Sequence, residues 1–521
     1  MKRLPLGMSN FQQIIEGDYL YIDKTKHIYD ILQQSRYLFL SRPRRFGKSL
    51  LISTLKELFL GNKELFNNTW IGQNSNHNWK KHPVIHLDFS TLSFETSQEF
   101  KISLNHSLDW IAQAYNVNIS KENLIALKIR SLLLELSKQN PVVVLIDEYD
   151  AALLKNIHKE NIANNIRDVM SEFFNTLKGS QEYLQAIFLT GVTKFSKASI
   201  FSGFNNLLDL TLSTKASTLL GYTEKELRSY FYDYAQEFAL KNSISEEEVF
   251  TKLKEWYNGY RFSSENIKVY NPFSVLSCFT EDKIENYWLE TGTPSFLVKL
   301  IQQEGYEPIK NIDEIEFKRE SLGAFEIGQI PLIPILFQAG YLTISGYDKE
   351  ENRYKLDYPN KETELSFKNY ILAGLAHITA QDADAVGYKI KNTLKNNDIE
   401  RFVINLQSLI ANIPYNLHEE KESYYHSLLH VLMDSIGLGN QSEVSTSIGR
   451  IDMTVDMPGQ IYIFEFKFKK SAQEALEQIE QQRYYEKYLH LNKPITLVGI
   501  SFQTNNKKIA LEWTKKNLKA N

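Results

Sequence analysis

The chain reads as an α/β multidomain protein, and three observations predict it. At 521 residues it exceeds what one hydrophobic core supports, so three or four domain-sized units are expected. From the start to about residue 215, short apolar runs alternate with longer helical stretches, the signature of a largely parallel sheet. After about residue 400 the order of signals is helix, hairpin, helix, strand, a second and separate α/β unit.

The first unit, taken as 1–220, carries strand candidates at Tyr37 to Leu40, Val84 to Phe89, Val142 to Ile146 and Ala186 to Thr190. Residues 221–300 are helical in pattern and rich in aromatics (Tyr230, Phe231, Tyr234, Trp256, Tyr257, Tyr260), as expected of a helical lid. Residues 301–400 mix helices with a hairpin, Tyr341 to Ile344 and Tyr354 to Leu356 around a polar turn at Asp348 to Arg353, and read as an α+β connector. Residues 401–521 form the last unit.

Composition is that of ordinary globular protein: 43% hydrophobic, 12% aromatic and 23% charged. A net charge of -4 gives no global attraction to nucleic acid, so such binding must come from local basic patches. Cys278 is the only cysteine, which excludes an intramolecular disulfide framework and a thiolate zinc cluster and fits a reducing cytoplasm. The start, Met1 to Gly7, lacks the apolar stretch of a signal peptide, and no run approaches the roughly 20 apolar residues that span a bilayer. Neither export nor membrane insertion is expected.

Between the first strand and a helical pattern (Leu50, Leu51, Thr54, Leu55, Leu58) stands Arg42-Pro43-Arg44-Arg45-Phe46-Gly47-Lys48-Ser49. A phosphate-cradling loop needs inward backbone N–H groups, a lysine for the outer phosphates and a hydroxyl for magnesium, all at a helix N-terminus. Gly47, Lys48 and Ser49 supply the last three positions, while the usual first glycine falls at Arg42. The plain alternative is a basic turn before an ordinary helix. The apolar run Val142 to Ile146 ends in Asp147-Glu148, two carboxylates at the edge where ligands sit in open α/β sheets. Asp147 is placed to hold magnesium and Glu148 to orient or deprotonate an attacking water. Arg44 and Arg45 either neutralise phosphate charge or are solvated surface charges. Thr193 and Lys194, beyond the fourth strand, are candidates to sense the outer phosphate. Arg261 is weighed as a lid arginine against a role packing over neighbouring aromatics.

In Ile461 to Phe468, period-two geometry puts Glu465 and Lys467 on one face and Phe464, Phe466 and Phe468 on the other. A turn at Pro458-Gly459 brings Asp452 of the upstream strand near Glu465. Two carboxylates beside a lysine can bind Mg²⁺ or Mn²⁺ and activate water against a phosphodiester. Lys467 would position that water or stabilise the crowded phosphorus. A helical stripe of Leu428, Leu429, Leu432 and Ile436, ending at Gly437, begins at Glu422, which would complete the metal shell. His426 beside it is a ligand or a supporting surface residue. Ala472 to Tyr488 reads as one helix carrying Gln478 and Tyr484, and Pro494 to Ile500 as a further strand. Alone, an acid-x-lysine strand is more often a surface salt bridge.

Taken together these residues resemble a bacterial and archaeal group in which an AAA-ATPase-like domain is fused to a C-terminal nuclease domain of the PD-(D/E)XK superfamily. The likeness rests on Tyr21 to Thr25, Arg42 to Ser49, Asp147 to Asp150, Thr190 to Ser196, Trp256 to Tyr260, Asn271 to Ser274 and Thr291 to Pro294, then Glu422 with Tyr424 to His426, Gly449 to Asp452 and Phe464 to Lys467. The resemblance implies a P-loop sheet with helical lid and a restriction-endonuclease-like C-terminal domain. It implies that a loop lacking its first glycine is normal, that ATP and Mg²⁺ are the cofactors, and that Asp452, Glu465 and Lys467 are the nuclease positions, with Glu422 and Gln478 on flanking helices. The implied partner is nucleic acid, DNA before RNA, and self-assembly stays open. A nucleotide-switched binding protein with a non-catalytic nuclease-like domain is the alternative.

Overall fold

The computed structural model describes residues 1–119, 124–195, 200–201, 206–288, 315–323, 331–413, 422–436, 438, 440–445, 450–505 and 508–518. It divides into two compact units, Met1–Thr291 with Asn311–Glu362, and Gly292–Lys310 with Thr363–Asn521. Of the motif residues quoted above, Ser196, Thr291 to Pro294, Gly437 and Gly449 lie outside the described residues, as do the side chains of Glu422, Tyr424, His426, Arg450 and Ile451.

The first unit is built on five parallel strands: β1 (Tyr37–Ser41), β2 (Val84–Asp88), β3 (Val142–Asp147), β4 (Leu184–Gly191) and β5 (Leu208–Asp209), in the order β2-β3-β4-β1-β5. All five residues of β1 and all six of β3 are buried, the continuous apolar run expected of strands covered on both faces. The Lys48–Phe59 helix packs Leu51, Ile52, Leu55 and Leu58 against Leu38, Leu40, Val143 and Leu145. Each such fully buried side chain contributes about 1.5–3 kcal/mol.

A second core lies in the helices Glu224–Tyr230, Tyr232–Asn242, Glu246–Tyr257 and Pro272–Glu281, where Leu227, Phe231, Phe238, Leu253 and Phe279 pack on Leu20 and Ile22 from the start of the chain. Local chemistry starts these helices where they start. Thr223 and Glu226 form a reciprocal capping box, Ser245 caps through its side chain, and Asn271 caps ahead of Pro272, whose missing N–H costs nothing at a first turn. Cys278 is buried here. An antiparallel sheet of β6 (Glu316–Lys318), β7 (Thr343–Asp348) and β8 (Arg353–Asp357), ordered β6-β8-β7, contains the expected hairpin.

The second unit contains a mixed sheet of β9 (Asn440–Ser445), β10 (Arg450–Met457), β11 (Gln460–Phe468), β12 (Ile495–Asn505) and β13 (Lys508–Leu518), in the order β13-β12-β11-β10-β9. Only the β11–β12 pair is parallel. One face carries Phe464, Phe466 and Phe468 against Phe402, Tyr425 and Phe502. The other carries Ile461, Ile463 and Leu497 against Leu476 and Ile479 of the Ala472–Gln481 helix. That helix approaches because position 499 is glycine: a Cβ there would lie 2.3 Å from Ala472 O and 2.8 Å from Leu476 N. The single helix expected from Ala472 to Tyr488 is corrected. It ends at Gln481, Arg483 turns left-handed at φ 48°, and a 3₁₀ segment, Tyr484–Leu491, keeps Tyr484 and Tyr488 in the same core.

Among the described residues no helix is long and apolar enough to cross a membrane.

Candidate functional sites

β1 delivers the phosphate-loop candidate directly onto a helix. Arg45 (φ 69°) and Gly47 (φ 90°) are both left-handed, so the chain curls before the Lys48–Phe59 helix begins. A helix N-terminus with free N–H groups facing a curled loop favours an anion. Arg42, at the position of the usual first glycine, is buried and points away from that anion site. Its guanidinium donates to the carbonyl oxygens of Ser41 (2.9 Å), Thr211 (2.8 Å) and Ala216 (2.9 Å) and lies 4.1 Å from the Phe262 ring centre. Three backbone acceptors, an aromatic face and the nearby charge of Asp209 offset the burial of the guanidinium.

Lys48 is 5% exposed and folds onto the loop itself, donating to Arg42 O and Pro43 O at 3.0 Å each. Burial pushes its pKa down, and the nearby carboxylates of Glu148, Asp147 and Asp150 act against that shift. Ser49, Arg44 and Arg45 are exposed, and all three line an open cleft of about 470 Å³ with Lys48 and Glu148. Arg45 also stacks 3.9 Å above the Phe273 ring centre, on the Asn271-Pro272-Phe273-Ser274 motif. Both arginines are thus exposed and line the cleft, which fits phosphate neutralisation and solvated surface charge alike.

The carboxylates come from the end of β3. Asp147, 3% exposed, accepts from the Thr190 hydroxyl (2.5 Å) and the Glu148 N–H (3.1 Å), so β4 fixes its rotamer. Glu148 adopts φ 47°, unusual for a side chain of its size, and burial raises its carboxyl pKa against the pull of Lys48. Thr193 is fully buried and donates its hydroxyl and its N–H to Asp150 Oδ2, each at 2.6 Å. Asp150 also accepts from Val192 N, and the Ser41 hydroxyl donates to Val192 O at 2.5 Å. Lys194 pairs with Asp209 at 2.5 Å. Thr193 and Lys194 thus already hold protein partners, and neither is among the residues that line the cleft. Gly191 permits this closeness, since a Cβ there would meet Asp150 and Tyr149 at 2.7 Å. Asp150 and Thr190 were assigned no role from the sequence; the acidic run 147–150 carried the only signal for the first. Arg261 is buried and donates to Ser263 O (3.0 Å) and Ser264 O (2.5 Å).

In the second unit, β10 and β11 join through Pro458-Gly459, and the register Met453↔Phe464 puts Asp452 opposite Glu465 one residue further along. Asp452 Oδ2 accepts the Phe466 N–H at 2.8 Å. Glu465 is 1% exposed, and Oε1 accepts from Lys467 Nζ at 2.9 Å. Its other oxygen, Oε2, is buried without a hydrogen-bond partner. Burial first, then the charge of Asp452, push the Glu465 carboxyl up to about 7. An orphaned carboxylate oxygen beside a second carboxylate is a donor set that suits a hard divalent cation. Gln478 lies half-buried on the Ala472–Gln481 helix. Glu422 begins the Glu422–Ser435 helix, in which Tyr425 stacks on Phe468 and Phe502, but the Glu422 side chain is not among the described residues. Among the described residues no three His, Cys, Asp or Glu side chains cluster as a metal site; Asp452 and Glu465 make a pair.

Residues 5–201 match the family model of a predicted AAA-ATPase, and residues 420–512 match that of the PD-(D/E)XK nuclease superfamily. Along 98% of its length, and 98% of the relative's, the chain is 35% identical to a protein of Azotobacter chroococcum mcd 1 described as an uncharacterized protein in the vnfD 5′ region.

The chain belongs to the predicted AAA-ATPase family that carries a C-terminal PD-(D/E)XK nuclease superfamily domain.

The AAA-ATPase span contains β1 to β4 with Lys48, Asp147 and Glu148, and the PD-(D/E)XK span contains β10 and β11 with Asp452, Glu465 and Lys467.

Proposed function

We propose that this protein binds and hydrolyses ATP with Mg²⁺ in the Lys48 cleft and cleaves phosphodiester bonds, those of DNA first, at Glu465, with the nucleotide state controlling cleavage. The observation that carries the reading is the Glu465 carboxylate, held in the core with one oxygen on Lys467 and the other unpartnered. A carboxylate kept this way costs stability, since an unsatisfied buried polar atom is worth about 1–3 kcal/mol. A ligand for Oε2 offsets that cost, and stability given up at a site is the usual mark of function.

Asp452 and Glu465, with Glu422 as a third donor, would hold Mg²⁺ or Mn²⁺. When bound, such an ion lowers the pKa of a water and neutralises charge on the phosphate. Lys467 keeps the Glu465 carboxylate oriented and presents an ammonium to a phosphate or its attacking water. Gln478 would support the site from the neighbouring helix. In the first unit the helix N-terminus, Lys48, Arg44 and Arg45 would meet the phosphates, Ser49 and Asp147 would hold Mg²⁺, and Glu148, which lines the same cleft, would serve as base for the attacking water. The apolar pocket adjoining that cleft, lined by Tyr21, Ile22, Ile28, Leu220 and Tyr222 around Gly47, offers the base an apolar surface.

Labelled single- and double-stranded DNA incubated with Mg²⁺ or Mn²⁺ tests the chemistry. Cleavage by the native chain and none by Lys467→Ala, with ATP binding intact in both, is the expected outcome. Binding of DNA without turnover in any metal would replace the nuclease with a nucleotide-switched binding protein.

A further inference from the structure

A second polar cleft lies in the first unit, at the opposite end of the parallel sheet from the Lys48 loop. Ser35 and Arg36, just before β1, and Gln185, at the start of β4, line it, whereas the phosphate loop follows the last residue of β1. Five strand residues separate these ends, roughly 16 Å at about 3.3 Å each. The Lys48–Phe59 helix reaches both, starting at the phosphate loop and contributing Phe59 to the second cleft.

The lining is of one sign. Arg36 and Lys80 are its charged residues, His77 and His82 stand beside them, and among the described residues no aspartate or glutamate lines it, in a chain with net charge -4. The remaining polar groups are Ser35, the Tyr29 hydroxyl and the amides of Gln33, Asn76, Asn78 and Gln185. The cavity volume, about 310 Å³, exceeds what one phosphate fills. Burial lowers the His77 pKa, so near neutrality His77 offers hydrogen bonds rather than charge.

The wall is rigidly held. His82 N donates to Phe59 O at 2.8 Å, and His82 Nδ1 sits 2.8 Å from Pro141 O, which leaves Nε2 for a ligand. Asn78 Oδ1 takes the Lys80 N–H at 3.1 Å, leaving the Asn78 NH₂ to donate elsewhere. Trp79 is left-handed at φ 50°, strained for an aromatic residue, and is pinned by Phe66 and His77 rings at 5.2 and 5.0 Å. Gly61 lets the segment close in, since a Cβ there would lie 2.7 Å from Trp79 O.

We infer that this cleft is a second ligand site, taking a phosphorylated nucleotide, free or at the end of a single strand. Arg36 and Lys80 meet the phosphate, and the amides with His82 meet a base edge or sugar hydroxyl. The inference does not depend on the proposed nuclease or on ATP hydrolysis.

Photo-crosslinking of the full chain tests it, in a Lys48→Ala/Lys467→Ala background that weakens the two sites described above. The probes are thiothymidine monophosphate and a terminally phosphorylated single-stranded oligonucleotide carrying thiothymidine, with mass-spectrometric mapping of the adducts. Adducts on the peptide containing Ser75 to His82, reduced about tenfold by Arg36→Glu/Lys80→Glu as two phosphate-directed cations are reversed, are expected. An adduct from the mononucleotide identifies a free-nucleotide site, and one from the oligonucleotide alone identifies a strand-end site. Both residues are exposed, and an unchanged melting curve for the double variant excludes misfolding. Adducts confined to other peptides, adducts insensitive to the double variant, or none with either probe would overturn the assignment.

Discussion

Lys48 and Arg42 bracket the candidate phosphate loop and are bonded across it: the Lys48 ammonium donates to the Arg42 carbonyl oxygen at 3.0 Å while the Arg42 side chain turns into the core. One residue closes the loop from inside and the other anchors its first position. The missing first glycine is therefore not a defect in the loop. An arginine whose guanidinium replaces water for three carbonyls does structural work there that a glycine does not.

Restoring the usual pattern with Arg42→Gly should consequently destabilise the protein. The change leaves the carbonyls of Ser41, Thr211 and Ala216 without their donor and opens a cavity beside Phe262, a loss of about 3 kcal/mol or more. Thermal melting reads this directly, with ATP affinity measured by calorimetry expected to fall or stay level. A variant as stable as the native chain would show that the guanidinium contributes nothing.

Asp150 should act as a positioning residue. In Asp150→Asn one oxygen becomes a donor facing the N–H groups of Val192 and Thr193, which unfastens the turn after β4 from the end of β3. We expect a stability loss of about 1–3 kcal/mol and a fall in ATP turnover larger than any fall in ATP binding. Phosphate release and binding calorimetry on the same preparation separate the two. Equal losses in both would mean that Asp150 only holds the fold.

Much of this was legible in the sequence. The four long parallel strands stand out because buried strands are continuous apolar runs, and the β10–β11 hairpin stands out because Pro458-Gly459 interrupts two alternating segments. The burial of Arg42 was not legible, since Thr211 and Ala216 lie 169 and 174 residues away and nothing local marks them as partners. The edge strands β9 and β13 do not stand out because Asn440–Ser445 carries a single apolar residue, Val444, and Lys508–Leu518 loses its apolar alternation after Trp513. Residue types named Lys48, Asp147, Glu465 and Lys467 as candidates, but only coordinates show which atoms are already taken.

Glu362 supplies a pH test in the first unit. Fully buried, it accepts from the Ser274 hydroxyl and from the N–H groups of Tyr287 and Trp288, and burial raises its carboxyl from 4.5 to about 7. The folded state then binds a proton that the unfolded chain has released, so stability falls as pH rises from about 4.5 to about 7 and is level above that. Glu362→Gln should remove this slope, on the order of 1–3 kcal/mol across the window. Melting temperatures of both proteins across that range decide the matter, and parallel curves would count against it.

Metal binding should follow the Glu465 carboxyl. Mn²⁺ affinity measured by calorimetry should weaken as pH falls below about 7, because the proton competes for the same oxygens. Glu465→Gln should abolish it at every pH while leaving ATP binding unchanged. Retained Mn²⁺ binding in that variant would move the metal elsewhere.

The coupling of the two chemistries is the central claim, and one assay addresses it: cleavage of labelled DNA in Mg²⁺, with and without ATP, by the native chain, Lys48→Ala and Lys467→Ala. The expected result is cleavage by the native chain whose rate changes with ATP, loss of that ATP response in Lys48→Ala, and no cleavage by Lys467→Ala. Cleavage by the native chain and Lys48→Ala at the same rate, indifferent to ATP, would contradict nucleotide control and leave the first unit a scaffold for the second.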